Sequence, residues 1–197
     1  MTAPAELRES LAGLPTGALL DRCAGLRPGP LTSPTAAAKS ALRALARRAA
    51  ALRAEAAGIL RQLDTLTKAA APRLRALYGI GPDGAAALLT AAGDNPQRIR
   101  SEASFAALCG TNPIPASSGK TTRHRLNRGG NRQANAALHR AVITRLRRHP
   151  PTTAYLNRRL AEPMTKTEIL RCLKRYLARE VYHHLTPPTP PAEAARG

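Results

Sequence analysis

Apolar residues repeat every seven positions between residues 42 and 66, and this repeat constrains the fold more than any other feature. The a positions are Leu42, Ala49, Ala56 and Leu63, and the d positions are Leu45, Leu52, Ile59 and Leu66. Heptads sustained over this length are typical of a long helix that pairs with another helix. We predict a coiled-coil arm over residues 35–70. The pattern also fits a monomeric amphipathic helix packed on the rest of the chain, because Ala-rich sequences imitate heptads.

The balance of charge indicates a polyanionic partner. The chain carries 31 Lys and Arg against 12 Asp and Glu, a formal net charge of +19, which attracts nucleic acid or an anionic membrane surface. The opening stretch, MTAPAELRES, lacks the apolar core of a signal peptide, and Arg interrupts each Ala/Leu-rich run before ~18 residues. We expect a cytoplasmic, nucleoid-associated protein that has no membrane partner. With four Tyr, one Phe and no Trp, backbone contacts are favoured over base stacking.

A glycine-rich turn follows the predicted arm. The segment LRALYGIGPDGAAALLTAAG, residues 74–93, places Gly79 and Gly81 between two apolar helical stretches. This pattern indicates a helix-hairpin-helix, in which backbone N–H groups at the start of the second helix bind a phosphate. An ordinary turn between two packed helices would have the same pattern.

A long basic loop occupies residues 111–132. It contains PIPASSGKTTRHRLNRGGNR, which has no carboxylate. The candidate phosphate-binding residues of this loop are Lys120, Arg123, His124, Arg125, Arg128 and Arg132. A connection of ~20 residues is long for a compact domain, so it is either functional or disordered. Any strand in this chain would be a short hairpin here.

Helix signals flank the basic loop on both sides. Ser101 and Asn131 are predicted N-caps, and Thr165 with Glu168 has the spacing of a capping box. Apolar residues then recur at helical spacing on the last helix. We therefore predict an all-α fold, with a long coiled-coil-like helix followed by a helical domain that contains the helix-hairpin-helix.

Candidate metal ligands are scattered. The four Asp residues, at positions 21, 64, 83 and 94, do not group into a Mg²⁺ site, and the three Cys form no C-x-x-C pair. We predict no metal site.

The remaining candidate for catalysis is a serine hydroxyl close to cationic side chains, because Ser117 and Ser118 precede Lys120. A serine can attack a phosphodiester when cations stabilise the charge on the phosphorane oxygens, although such a loop is most often only a loop.

Two segments carry a family resemblance. GIGPDGAAALLTAAGDNPQRIRSEASFAALCGTNPIPASSGKTTRHRLNRGGNRQANAALHRAV, followed by TKTEILRCLKRYLAREVY, resembles the C-terminal half of insertion-sequence transposases. The family is the one numbered one hundred and ten, one hundred and sixteen and nine hundred and two. The resemblance covers roughly residues 35–185, and the order of its motifs is specific.

The resemblance implies a serine-dependent DNA recombinase that works as an oligomer and is guided by a structured RNA. The serine immediately before the glycine acts as nucleophile in this family, which corresponds to Ser118, whereas Ser117 has no counterpart. The implied partners are the DNA of the element ends and target, a guide RNA, and a second transposase chain, identical or intact, bound through residues 42–66. Mg²⁺ is expected only with the RuvC-like domain of the family, which bears a DEDD carboxylate set.

This sequence contains no DEDD set, so we expect a truncated transposase that cannot cleave DNA alone. The alternative is a non-catalytic nucleic-acid-binding regulator, or a dominant-negative partner of an intact transposase. The expected organisation is a linker remnant over 1–34, the arm over 35–70, the transposase domain over 71–185 and a disordered Pro-rich tail over 186–197.

Overall fold

The computed structural model describes residues 4–93, 99–116 and 124–186. The all-α prediction is confirmed, since these residues form helices and one two-stranded sheet. The helices are α1 Ala5–Leu11, α2 Thr16–Ala24, α3 Pro34–Ala70, α4 Pro72–Arg75, α5 Pro82–Ala92, α6 Glu102–Leu108, α7 Arg132–Arg148, α8 Pro150–Leu160 and α9 Lys166–Leu185. The strands are β1 Ile114–Pro115 and β2 His124–Arg125.

The chain divides into two compact units, Met1–Arg61 and Gln62–Gly197. The first unit contains α1 and α2, in the region that the sequence predicted to be a linker. That prediction missed both helices. Each begins after a proline and has no side-chain cap, so the usual start signals are absent, and each buries a single apolar residue, Leu7 or Cys23.

Helix α3 begins in the first unit and includes all four predicted heptads. Its d-position side chains are exposed by 67, 45, 51 and 64%, for Leu45, Leu52, Ile59 and Leu66 respectively. Exposed large apolar side chains at heptad spacing are typical of a surface that pairs with another helix.

In the second unit, α7 packs against α5, α8 and α9, and α9 also packs against α4 and α6. The largest fully buried side chains of this core are Leu74, Leu88, Phe105, Leu138, Val142, Ile169, Leu177 and Val181. They come from five helices, so α7 and α9 form the centre on which the shorter helices pack.

Three predicted helix starts are confirmed. The hydroxyl of Ser101 accepts a hydrogen bond from the Ser104 N–H at 3.2 Å, and Asn131 Oδ1 accepts one from the Ala134 N–H at 3.0 Å. Thr165 and Glu168 form the capping box of α9. These caps satisfy N–H groups that the first turn of a helix leaves unpaired.

Within the described part of the chain, no helix combines the length and apolar character needed to cross a bilayer. The predicted tail lies outside the described residues, except for Thr186.

Candidate nucleic-acid interface

The basic loop is closed where it leaves the helices. The N–H of Asn131 donates to the Leu108 carbonyl at 2.6 Å, and Gly130 lies against Gly110. A Cβ atom on Gly130 would stand 2.2 Å from the Gly110 nitrogen, so only glycine permits this approach. We call residues 108–116 and 124–131 the loop stem.

Polar side chains and the predicted hairpin hold the two sides of the loop stem together. Asn127 Nδ2 donates to Asn112 Oδ1 at 2.6 Å, and Ile114 pairs with Arg125 in the antiparallel sheet. The hairpin prediction for this region is confirmed. Residues 117–123 connect β1 to β2 and lie outside the described residues, as do the predicted site residues Ser118, Lys120 and Arg123.

A buried lysine lies beneath the loop stem. Lys174 of α9 is 8% exposed, and its Nζ donates to Asn135 Oδ1 at 2.9 Å. Asn135 Nδ2 in turn donates to the carbonyls of Cys109 and Gly110, at 2.8 and 3.1 Å. Burial lowers the pKa of Lys174, and the nearby charge of Arg171 lowers that pKa further. This chain of hydrogen bonds connects α9 and α7 to the stem.

A cavity of about 690 Å³ lies between the loop stem, the end of α8 and α9. The cations among the described residues that line it are Arg125, Arg159, Arg171, Lys174 and Arg175, and the carboxylate is Glu168. We call this space the stem cavity. A second cavity, of about 800 Å³, is lined by His124, Arg125, Arg128 and Arg171 among others. In both cavities, therefore, the charged side chains among the lining residues are mainly cationic.

Cys109 belongs to the loop stem but is unsuited to act as a nucleophile. Burial raises the pKa of its thiol to about 12, so the thiol stays protonated at neutral pH. Because the thiolate is the reactive form of cysteine, Cys109 serves as a core residue.

The glycine turn is built for packing. Gly79 has a φ of 87°, and a Cβ atom there would lie 2.9 Å from the carbonyl oxygen of Ala141 in α7. Arg145 Nε donates to the Tyr78 carbonyl at 2.8 Å, and the guanidinium also pairs with Glu180 at 2.8 Å. These contacts fix the turn against α7.

Gly81 is exposed and is the N-cap residue of α5. The first turn of α5 carries Asp83, whose carboxylate pairs with Arg140 at 2.6 Å. A carboxylate in the first turn interacts favourably with the partial positive charge at the N-terminus of the helix. A phosphate would bind to that same N-terminus. Helix α4 before the turn is only a single turn long, ending at Arg75.

The predicted site residues therefore fall in two places. His124, Arg125 and Arg128 line the cavities beside the stem, and Arg132 is exposed at the start of α7. Gly79 and Gly81 are not among the residues that line either cavity.

The sequence prediction missed Arg171, Lys174 and Arg175 as candidate site residues. One signal could have found Lys174, which lies at helical spacing with the buried residues Leu177 and Ala178 and so falls on the buried face of α9.

The described carboxylates do not fit a Mg²⁺ site. Asp64 pairs with Lys68 and Arg75, each at 2.6 Å, and the hydrogen bonds from these two cations lower its pKa. Asp83 pairs with Arg140. Among the described residues, no group of three or more His, Cys, Asp or Glu could hold a metal ion.

Comparison with known families supports a transposase-related region. Residues 71–157 match the model of the Transposase IS116/IS110/IS902 family. The matched range begins before α4, includes the whole basic loop, and stops before α9. No curated protein matches the chain.

Proposed function

We propose that this chain binds DNA and contributes the serine nucleophile of a transposition reaction. The observation that carries the proposal is the family match over residues 71–157, which includes Ser118 and the basic loop. The net charge of +19 and the cationic cavities beside the loop stem support binding to a phosphate backbone.

In the proposed step, the Ser118 hydroxyl oxygen attacks the phosphorus of a phosphodiester. The bond from phosphorus to the sugar oxygen breaks, a phosphoserine ester forms, and the serine proton ends on the departing sugar hydroxyl. Rejoining reverses these changes without ATP, because the phosphoserine ester conserves the energy of the broken phosphodiester bond. Lys120, Arg123, His124, Arg125, Arg128 and Arg132 are the proposed donors to the phosphate oxygens.

The carboxylates for Mg²⁺ would come from another domain or chain, since Asp64 and Asp83 are engaged with Arg and Lys and no cluster of candidate metal ligands occurs among the described residues. The experiment therefore mixes this chain with an intact transposase of the matched family whose own nucleophilic serine is replaced by alanine. The mixture is incubated with Mg²⁺ and DNA that carries the element ends, and covalent adducts are resolved by denaturing electrophoresis.

We expect an adduct on the 197-residue chain that is lost in Ser118→Ala and kept in the matched control Ser117→Ala. An adduct formed by this chain alone would contradict the dependence on external carboxylates. An adduct that survives Ser118→Ala would contradict the assignment of the nucleophile.

DNA binding itself is tested by its salt dependence. Each phosphate neutralised contributes about −0.9 to the slope of log affinity against log salt, so a backbone-directed protein shows a steep slope. A flat response would overturn the DNA-binding proposal. A structured guide RNA is a second proposed partner, and competition between RNA and duplex DNA at fixed salt tests it.

The exposed d-position side chains of α3 favour a second candidate function, a non-catalytic partner that forms mixed oligomers with an intact transposase. Leu45→Glu with Leu52→Glu should dissociate such oligomers in sedimentation experiments. The matched control is Ala54→Glu, in the same helix but outside the a and d positions. An unchanged sedimentation profile in the double variant would exclude oligomers through residues 42–66.

A further inference from the structure

Among the described residues, four of the five cations that line the stem cavity lack the carboxylate partner that other cations of this unit have. Arg145, outside the cavity, pairs with Glu180 at 2.8 Å, and Arg159, the fifth cation of the cavity, pairs with Glu162 at 2.6 Å. By contrast, Arg125, Arg171, Lys174 and Arg175 make no ion pair with any carboxylate of the described residues. The carboxylate that lines the cavity belongs to Glu168, and it accepts hydrogen bonds from the Thr165 N–H and hydroxyl, each at 2.8 Å.

Lys174 is the most costly of these cations to bury. Its side chain is 8% exposed, and its hydrogen-bond acceptor is the neutral amide of Asn135. A buried charge without a counter-charge is strongly unfavourable, so folds retain one mainly where a ligand or a reaction uses it.

Arg175 gives an independent indication. It also lines the stem cavity, and among the described residues its Nη1 is one of the buried guanidinium nitrogens without a hydrogen-bond partner, together with Nε of Arg43, Arg75 and Arg159. Buried polar atoms are nearly always paired, and of these four residues Arg159 and Arg175 line the cavity, where a ligand could supply the acceptor. An anion in the cavity would supply both this acceptor and the counter-charge for Lys174.

We infer that the stem cavity holds one phosphodiester group of the bound nucleic acid, with Arg171, Lys174 and Arg175 as its ligands on α9. The inference rests on the proposed function, and it adds residues that lie outside the family match, which ends at residue 157. The cavity, at about 690 Å³, is within the range of sites that enclose small ligands, about 300–1,000 Å³.

The first experiment uses inorganic phosphate as the probe, with chloride at equal ionic strength as the control. Lysine side-chain NMR follows the pKa of Lys174, with Lys174→Met used to assign its signal. A bound anion favours the charged amine, so phosphate should raise this pKa and chloride should not. A pKa that phosphate leaves unchanged overturns the anion site, whatever the DNA result.

The second experiment measures affinity for duplex DNA as a function of salt. Lys174→Met and Arg171→Gln should each weaken binding about tenfold and reduce the salt slope by about 1. The matched control is Arg147→Gln, an exposed cation of the last turn of α7 that does not line the cavity. It should change affinity less than either α9 variant.

Thermal unfolding separates binding from structure. Methionine keeps the apolar stem of Lys174, so Lys174→Met should fold, and Arg171→Gln provides a second variant at a half-buried position. Unchanged DNA affinity and slope in both variants overturn the inference but leave DNA binding in place. A phosphate response without any DNA binding by the wild type overturns the proposed function and, with it, the nucleic-acid ligand.

Discussion

The glycine turn and the loop stem belong to one compact unit, yet they use cations in opposite ways. At the turn, Arg145 donates to the Tyr78 carbonyl and pairs with Glu180, and Arg75 donates to the Ile80 carbonyl and pairs with Asp64. At the stem, Arg171, Lys174 and Arg175 of α9 line a cavity and pair with no carboxylate of the described residues.

This difference separates structural cations from those available to a ligand. A guanidinium that already holds a carbonyl and a carboxylate has few donors left for a phosphate. A cation without a counter-charge still has N–H donors available for a phosphate, and its positive potential is not neutralised. Net charge alone does not make this distinction, because both regions contribute to the same total of +19.

The largest expected effect is on the turn. Gly79→Ala should lower the free energy of unfolding by about 3 kcal/mol, because alanine disfavours a φ of 87° and its Cβ would crowd Ala141. Gly81→Ala is the matched control. Gly81 has a φ of −82° and no atom within 4 Å of an added Cβ, so the cost should stay below about 1 kcal/mol.

Urea unfolding of the intact chain, followed by circular dichroism, measures both variants. DNA affinity of Gly81→Ala should stay within about twofold of wild type, since a 1.4 kcal/mol change is tenfold and no contact is lost. A large loss of affinity with retained stability in Gly81→Ala would support the predicted phosphate site at the turn.

A smaller effect is expected when the two kinds of arginine are exchanged for neutral residues. Arg145→Met should cost about 2 kcal/mol of stability, because it leaves the Tyr78 carbonyl and the half-exposed Glu180 without their donor. Arg171→Gln should change stability by less than about 0.5 kcal/mol. For DNA affinity, measured under conditions where both variants are folded, Arg171→Gln should have the larger effect and Arg145→Met the smaller. If Arg145→Met had the larger effect on both stability and DNA affinity, the distinction between structural cations and cations available to a ligand would be wrong.

The sequence predicted the features that depend on nearby residues. Ser101, Asn131 and Thr165 were identified as caps because each acts on an N–H group three positions away. The all-α class and the short hairpin in the basic loop followed from composition and turn residues. The matched family agrees with the resemblance over residues 71–157.

The features that depend on tertiary contacts were missed. Helices α1 and α2 lack side-chain caps, so no local signal indicated where they begin. The role of Gly79 depends on a close approach to α7, and the environment of Lys174 depends on Asn135, Cys109 and Gly110. These contacts join segments far apart in the chain, which a local pattern cannot reveal.

The smallest effect concerns the pH dependence of Lys174. Its pKa is lowered in the folded state from the ordinary lysine value of 10.5, by burial and then by the charge of Arg171. Between the folded pKa and 10.5, the unfolded state therefore holds more protons than the folded state, so stability from this group rises with pH. Wild type should gain stability relative to Lys174→Met as pH increases from neutral toward that value, by less than the cost of Arg145→Met.

Subtracting the two urea-unfolding series removes the titration of all other groups. A difference that stays flat, or that favours Lys174→Met increasingly at high pH, would show that the buried amine is not destabilised by its surroundings. The contrast between the stem cavity and the turn would then lose its energetic basis.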